Sequence, residues 1–177
     1  MIIGITGKAG SGKTALSNML IDKYNLIKLE CDTIAKDLQE KLDFHINVDK
    51  DCFIDETEQR RIINEFHPLV WNEIENQIDR YKKSDKYNDV VIETALPSDR
   101  FFDIVDMSLC IKSDYSNDRL KELRQYSDAK INSIITSQKQ YEKYYDKCDF
   151  LIINNVKLQI AFKKICDIYE SIKGKSV

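Results

Sequence analysis

The sequence predicts a three-layer α/β/α fold, a mainly parallel five-stranded sheet with helices on both faces and two helical excursions at one edge. Three observations predict it. Short apolar runs alternate with stretches whose apolar residues recur at helical spacing, the pattern of parallel strands joined by crossover helices. The first run leads into a glycine-rich loop, Gly7-Lys8-Ala9-Gly10-Ser11-Gly12-Lys13-Thr14, which opens directly into a helical pattern. At 177 residues the chain can bury one sizeable core but not two, so residues 1–177 are expected to form a single domain.

The elements follow in order. Met1-Ile2-Ile3-Gly4-Ile5-Thr6 is a β-branched run suited to a buried parallel strand, and Ala15-Leu16-Ser17-Asn18-Met19-Leu20-Ile21 carries helical spacing. Further strands are expected at Leu26 to Glu30, Asp89 to Glu93, Met107 to Ile111 and Phe150 to Ile153, all short, apolar and read as fully buried, with the third and fourth following one another directly. Between the second and third lies a helical excursion over residues 33–86. Its first part, 36–52, is charged and weakly periodic, whereas 57–82 is a long helical pattern centred on Ile62, Ile63, Phe66, Trp71, Ile74 and Ile78. Pro68 interrupts that pattern, which predicts a kink or two helices meeting there. A second, highly charged helical excursion spans 116–147. The segment from Lys157 to Ile172 is amphipathic, with Ile160, Phe162, Ile165 and Ile168 expected to face the core.

The loop fills every position of the phosphate-binding pattern G-x-x-x-x-G-K-[ST]. Gly7, Gly10, Ser11, Gly12 and the start of the helix at Ala15 are expected to turn backbone N–H groups around phosphate oxygens. Lys13 then reaches the β/γ-phosphates, and the Thr14 hydroxyl can ligate Mg²⁺. Ligands of open α/β sheets bind beyond the carboxyl ends of the strands, so carboxylates and mobile cations there are the next candidates. Asp32 follows the second strand and can either take a proton from an acceptor hydroxyl or cap the helix that begins at Thr33. Glu93 ends the third strand where an acid could orient water around Mg²⁺, although acids are common at strand ends. Arg119 and Arg124 lie on the second excursion, a natural lid, and either can close over the phosphates, with Arg124 preferred. His67, beside Pro68, reads from spacing alone as a packing feature.

Composition narrows the class. A formal net charge of -3 gives no support to a nucleic-acid partner, which would call for a basic stripe. The five cysteines, at 31, 52, 110, 148 and 166, lack C-x-x-C spacing and read as reduced thiols of a cytosolic protein rather than a zinc site. No signal-peptide pattern or membrane-length apolar run is present, so a soluble, cytoplasmic, nucleotide-dependent protein is expected, of undetermined oligomeric state.

With these pieces in order, the chain resembles the dephospho-CoA kinase family, whose P-loop enzymes phosphorylate the ribose 3′-hydroxyl of dephospho-CoA with ATP. Ile5 to Thr14 looks like the family's opening loop, and Leu29-Glu30-Cys31-Asp32-Thr33-Ile34-Ala35-Lys36 is similar to its D-x-D-x-[IL]-[AS]-[RK] element. Phe53-Ile54-Asp55 through Arg60-Arg61 to His67-Pro68-Leu69-Val70 resembles the segment ending in H-P-x-[VI]. Ser127-Asp128-Ala129-Lys130 through Ser137-Gln138 resembles the lid, and Cys148 to Asn155 the last strand. The resemblance implies a P-loop NTPase fold with residues 33–86 binding the acceptor and 116–147 forming the lid. It also implies Asp32 as catalytic base, His67 and Glu93 near the acceptor, Arg119 and Asn154 near the nucleotide, and ATP with Mg²⁺ as cofactors. The chain departs from the family at Glu30, at Lys8, at Thr94-Ala95-Leu96-Pro97-Ser98, which replaces P-L-L-[FL]-E, and in a shortened stretch between Asp32 and Phe53. Two alternatives stay open: a kinase of another small alcohol, such as a nucleoside or nucleotide, and a nucleotide-binding regulatory module without an acceptor.

Overall fold

A computed structural model describes residues 1–46, 56–84 and 88–174. The Phe53-Ile54-Asp55 part of the acceptor segment and Cys52 lie outside them. The sheet runs β2-β3-β1-β4-β5, with β1 Ile2–Thr6, β2 Ile27–Glu30, β3 Val90–Glu93, β4 Met107–Lys112 and β5 Phe150–Ile153. Every pairing is parallel. All five residues of β1 are buried, as a central strand with helices on both faces requires.

Alternation along β1 sorts the core into two layers. Ile3 and Ile5 pack with Leu16 and Leu20 of α1 (Lys13–Tyr24) and with Ala161 and Ile165 of α9 (Leu158–Lys173). Ile2 turns to the other face and joins Trp71 and Ile74 of α4 (His67–Lys82) and Phe101 of α5 (Asp99–Ile104). Each fully buried Ile, Leu or Phe among them contributes on the order of 2 kcal/mol. The register places Glu93 of β3 beside both Ile5 of β1 and Glu30 of β2. Two carboxylate-bearing strand ends therefore sit level with the strand that feeds the glycine-rich loop.

Four details differ from the sequence expectations. Strands three and four are separated by α5, which starts after Pro97 with Ser98 in extended conformation as its N-cap. Its six residues are too few to display a helical period. β5 is not fully buried, because it is the sheet edge, and Leu151 and Ile153 are exposed. In α9 the buried stripe is Ala161, Ile165, Cys166 and Tyr169, while Ile160 is 49% exposed and lies off it. Asp32 is not a helix cap: Glu30 occupies the N-cap of α2 (Cys31–Leu42), and Asp32 sits in its first turn.

The break at Pro68 takes a specific form. α3 (Glu56–Arg61) passes into a π-helical turn, Ile62–Phe66, before α4 begins. Proline brings no N–H and its ring crowds the carbonyl four residues back. The wider turn accommodates this, with the His67 amide donating to the Ile62 carbonyl, five residues earlier. The second excursion comprises α6 (Ser116–Arg124), α7 (Asp128–Gln138), a 3₁₀ turn at Lys139–Tyr141 and α8 (Glu142–Tyr145). Among the described residues no helix is long and apolar enough to cross a membrane.

Candidate active site

Between β1 and α1 the loop has the shape of an anion cradle. Gly10 (φ 77°) and Gly12 (φ 95°) are left-handed, and a Cβ would lie 2.2 Å from the Ser116 carbonyl at the first and 2.3 Å from Asn154 Nδ2 at the second. The Ser11 carbonyl is held from outside. It accepts from Asn154 Nδ2 at 2.8 Å and from the Arg119 guanidinium at 3.3 Å, and Arg119 also donates to the Asn154 carbonyl at 2.9 Å. Asn154 is 1% exposed, so this tether is dry. From the other side the Ala9 amide donates to Gln138 Oε1, at the end of α7, at 2.9 Å.

Lys13, in the first turn of α1, is buried, and its ammonium folds back to the Lys8 carbonyl at 3.0 Å. Burial holds its pKa below the ordinary lysine value, while the charges of Glu93 and Asp32 oppose the shift. A buried cation whose hydrogen bond goes to a neutral carbonyl, at the end of a helix dipole, fits an incoming anion.

Facing it is a group of oxygen donors. The Thr14 hydroxyl donates to Glu93 Oε1 at 2.5 Å, and the Ser17 hydroxyl, one turn on in α1, donates to Glu93 Oε2 at 2.6 Å. Lys28 of β2 bridges Glu30 at 3.1 Å and Glu93 at 3.4 Å. Asp32 opens on the cleft, yet the protein around its carboxyl raises its pKa by desolvation. Lys13 opposes that shift, and Glu30 and Glu93 add to it. Hydroxyl and carboxylate oxygens are the donors a hard cation such as Mg²⁺ takes, so Thr14, Glu93 and Asp32 suit one that retains most of its waters.

Lys13, Thr14, Glu30, Asp32 and Glu93 line one cleft of about 440 Å³, roofed by helix α6. Gly10, Gly12, Lys13, Thr14, Ala15, Asp32, Glu93, Arg119 and Arg124 all face it. The two arginines differ. Arg119 is committed to backbone carbonyls, whereas Arg124 is exposed and, among the described residues, makes no hydrogen bond or ion pair. Gly7 and Ser11 shape the loop from behind. His67 does not reach the phosphate cleft. It lines a small pocket of about 60 Å³ shared with Asp32, Trp71 and Thr94, and a larger one of about 420 Å³ walled by Trp71, Pro97, Tyr141 and Tyr144. Burial lowers its pKa, which favours a neutral imidazole.

Sequence reasoning passed over Ser17, Lys28 and the role of Gln138. Ser17 was legible in principle, since a hydroxyl three residues after Thr14 shares its helix face. Lys28 and Gln138 depend on strand register and on how α7 docks against the loop, which no local pattern encodes.

Comparison with known proteins accords with this geometry. The family model of the KAP family P-loop domain matches residues 1–85, from β1 to just past α4. A dephospho-CoA kinase from Fusobacterium nucleatum is 30% identical, the match covering 97% of this chain and 98% of the relative. Among solved structures, TT1252 from Thermus thermophilus superposes with a TM-score of 0.72 at 16% identity, covering 97% of this chain and 96% of that one. Dephospho-CoA kinase from Campylobacter jejuni does so with a TM-score of 0.60 at 16% identity, covering 99% and 98%. The structural likenesses establish the fold, and the end-to-end sequence match establishes more: the chain belongs to the dephospho-CoA kinase family and is a P-loop kinase.

Proposed function

We propose that this kinase transfers the γ-phosphoryl group of ATP to the ribose 3′-hydroxyl of dephospho-CoA, the last step of coenzyme A formation, in the cytoplasm. The observation that carries the acceptor assignment is the match, over nearly the full length of both chains, to a relative named dephospho-CoA kinase. In this reading residues 33–86 hold the acceptor and 116–147 close over ATP.

The geometry supports the following roles. Lys13 leaves the Lys8 carbonyl and tracks the phosphates, its attraction strengthened by the dry surroundings. Arg124, on the lid and free of competing partners among the described residues, adds positive charge as the transferring group moves. Arg119 and Asn154 keep the Ser11 carbonyl turned outward and so keep the neighbouring N–H groups turned in. Asp32 accepts the proton of the acceptor hydroxyl, and a carboxyl made more basic by its surroundings suits that task near neutral pH. Thr14 and, through water, Glu93 would hold Mg²⁺, which would supply charge neutralisation for the phosphates. His67, beside Asp32 and below the aromatic pocket, orients the acceptor.

The altered Thr94 to Ser98 element favours keeping a second acceptor class in view, because Thr94 and Ala95 form part of the cleft wall. A panel following ADP release with dephospho-CoA, nucleosides and nucleoside monophosphates separates the readings. Turnover with dephospho-CoA is expected to dominate. Turnover on another acceptor, with none on dephospho-CoA, refutes the proposal, and ATP binding that no acceptor converts to ADP release points to a regulatory module.

A further inference from the structure

One wall of the phosphate cleft carries a buried carboxamide that is bonded at only one of its two ends. Gln138 is the last residue of α7, and it and Ile131, two turns earlier on the same face, are the buried residues of that helix. The chain that follows is pinned to the loop and to the end of the sheet. Glu142 pairs with Lys8 at 2.5 Å, and the Tyr145 hydroxyl donates to the Ala95 carbonyl at 3.0 Å. Gln138 itself is 8% exposed and lines the cleft together with Ala9, Gly10, Lys13 and Thr14.

The contact with Ala9 fixes which way the carboxamide points. A backbone N–H can be met only by an acceptor, so Oε1 faces the Ala9 amide, at 2.9 Å, and the NH₂ group takes the other side. Among the described residues Nε2 makes no hydrogen bond, and it is not one of the sealed polar atoms left without a partner. It opens on the cleft that the side chain lines.

Its place in the cleft indicates what it meets. Ala9 follows Lys8, whose carbonyl holds the Lys13 ammonium at 3.0 Å. In a loop of this pattern the backbone amides cradle the α- and β-phosphates, and the lysine reaches on to the β- and γ-phosphates. Two side-chain N–H bonds beside the resting place of that lysine therefore lie at the distal end of a bound polyphosphate.

We propose that Gln138 reads the terminal phosphate of ATP: Oε1 stays on the Ala9 amide while Nε2 donates to a γ-phosphoryl oxygen, so triphosphate is held more tightly than diphosphate. This role rests on the ATP site proposed above and on no particular acceptor. A donor held at its other end by the loop needs no further ordering to meet a charged oxygen. Once the phosphoryl group has been transferred the contact is gone, which favours release of ADP.

Two substitutions separate the ends of the carboxamide. Gln138→Glu keeps an acceptor for Ala9 and puts a carboxylate oxygen in place of the NH₂, whereas Gln138→Met keeps the length and removes both polar atoms. The test is isothermal titration of the full chain, with Mg²⁺ and without acceptor, using ADP and the β,γ-imido analogue of ATP, alongside a Tm for each variant. Gln138→Glu is expected to weaken the ATP analogue by ~10–100-fold, the worth of a hydrogen bond to a charged group, and to leave ADP close to the parent. Gln138→Met should also lose more affinity for the analogue than for ADP. A purely structural role reverses the pattern, with Glu tolerated and Met weakening both nucleotides alike, and that result overturns the proposal. If Gln138→Glu lowers the Tm, Gln138→Met decides: selective loss of the analogue supports the contact, and equal loss overturns it. A parent chain that binds neither nucleotide overturns the ATP site itself and this role with it.

Discussion

Replacing Gly12 by alanine puts one methyl group where the loop, α6 and the last strand converge, and the magnitude of its effect follows from one backbone angle and one close approach. A non-glycine residue at φ 95° carries about 1–2 kcal/mol of backbone strain. The added Cβ would stand 2.3 Å from Asn154 Nδ2, which is buried and cannot swing into solvent, so the Asn154 hydrogen bond to the Ser11 carbonyl must lengthen or break. That adds about 1 kcal/mol. The sum is about 2–3 kcal/mol, or ~5–10 °C in Tm for a chain of this size. In an Asn154→Ala background the clash has no partner, and Gly12→Ala should there lose only the backbone strain. Urea unfolding of the two single variants, the double variant and the parent closes the cycle, with an expected coupling of about 1 kcal/mol. Isothermal titration with ATP should weaken in the same order. Strictly additive losses would refute the argument, because the Asn154 contact would then not be what holds the loop.

Two further outcomes follow from the site and the core. Asp32→Asn should leave ATP affinity close to that of the parent while turnover falls by about 10²–10⁴-fold, the usual contribution of a general base; unchanged turnover in a coupled ADP assay would remove Asp32 from the mechanism. Asp89 anchors the Met1 ammonium at 2.6 Å, the Tyr169 hydroxyl at 2.7 Å and the Lys173 ammonium at 2.8 Å. Burial disfavours its charge, but Lys173, the Met1 ammonium and Tyr169 outweigh that and set its pKa below the ordinary value. The folded state therefore gains stability from Asp89 at pH above the unfolded carboxyl value, near 3.9, and loses it as pH falls through the depressed folded value. Asp89→Asn should destabilise by about 2 kcal/mol at neutral pH, and the difference in Tm between variant and parent should shrink as the pH drops below about 4; a constant difference would show that charge is not the cause.

The parts of the molecule legible in the sequence are those written by local physics. Ile2 to Thr6, the glycine pattern and the first helix are contiguous, and each level of the reading points the same way. Trp71, Ile74 and Ile78 lie one helical turn apart and are buried together in α4. Beyond such local patterns the reading was incomplete. Ile160 fits an amphipathic spacing but turns outward, because the stripe that meets α1 and the sheet starts one residue later, at Ala161. β5 reads as buried because it is apolar, and only its place at the edge exposes Leu151 and Ile153. In the site, the Thr14 to Glu93 contact is foreshadowed by strand-end logic, but Lys28 enters through a β2–β3 register that no spacing in the chain reveals. That Arg119 is held by the Ser11 and Asn154 carbonyls, and Arg124 is not, likewise depends on which carbonyls lie within reach.

The tether between Ser11 and Asn154 joins residues 143 positions apart. In a chain made from its N-terminus, the phosphate loop is therefore among the first segments to emerge and among the last to become competent. Until β5 has docked beside β4, the complete G-x-x-x-x-G-K-[ST] string exists without the groups that hold its carbonyl outward. A shortened chain that stops before Asn154 keeps the signature without the side chain that holds the Ser11 carbonyl.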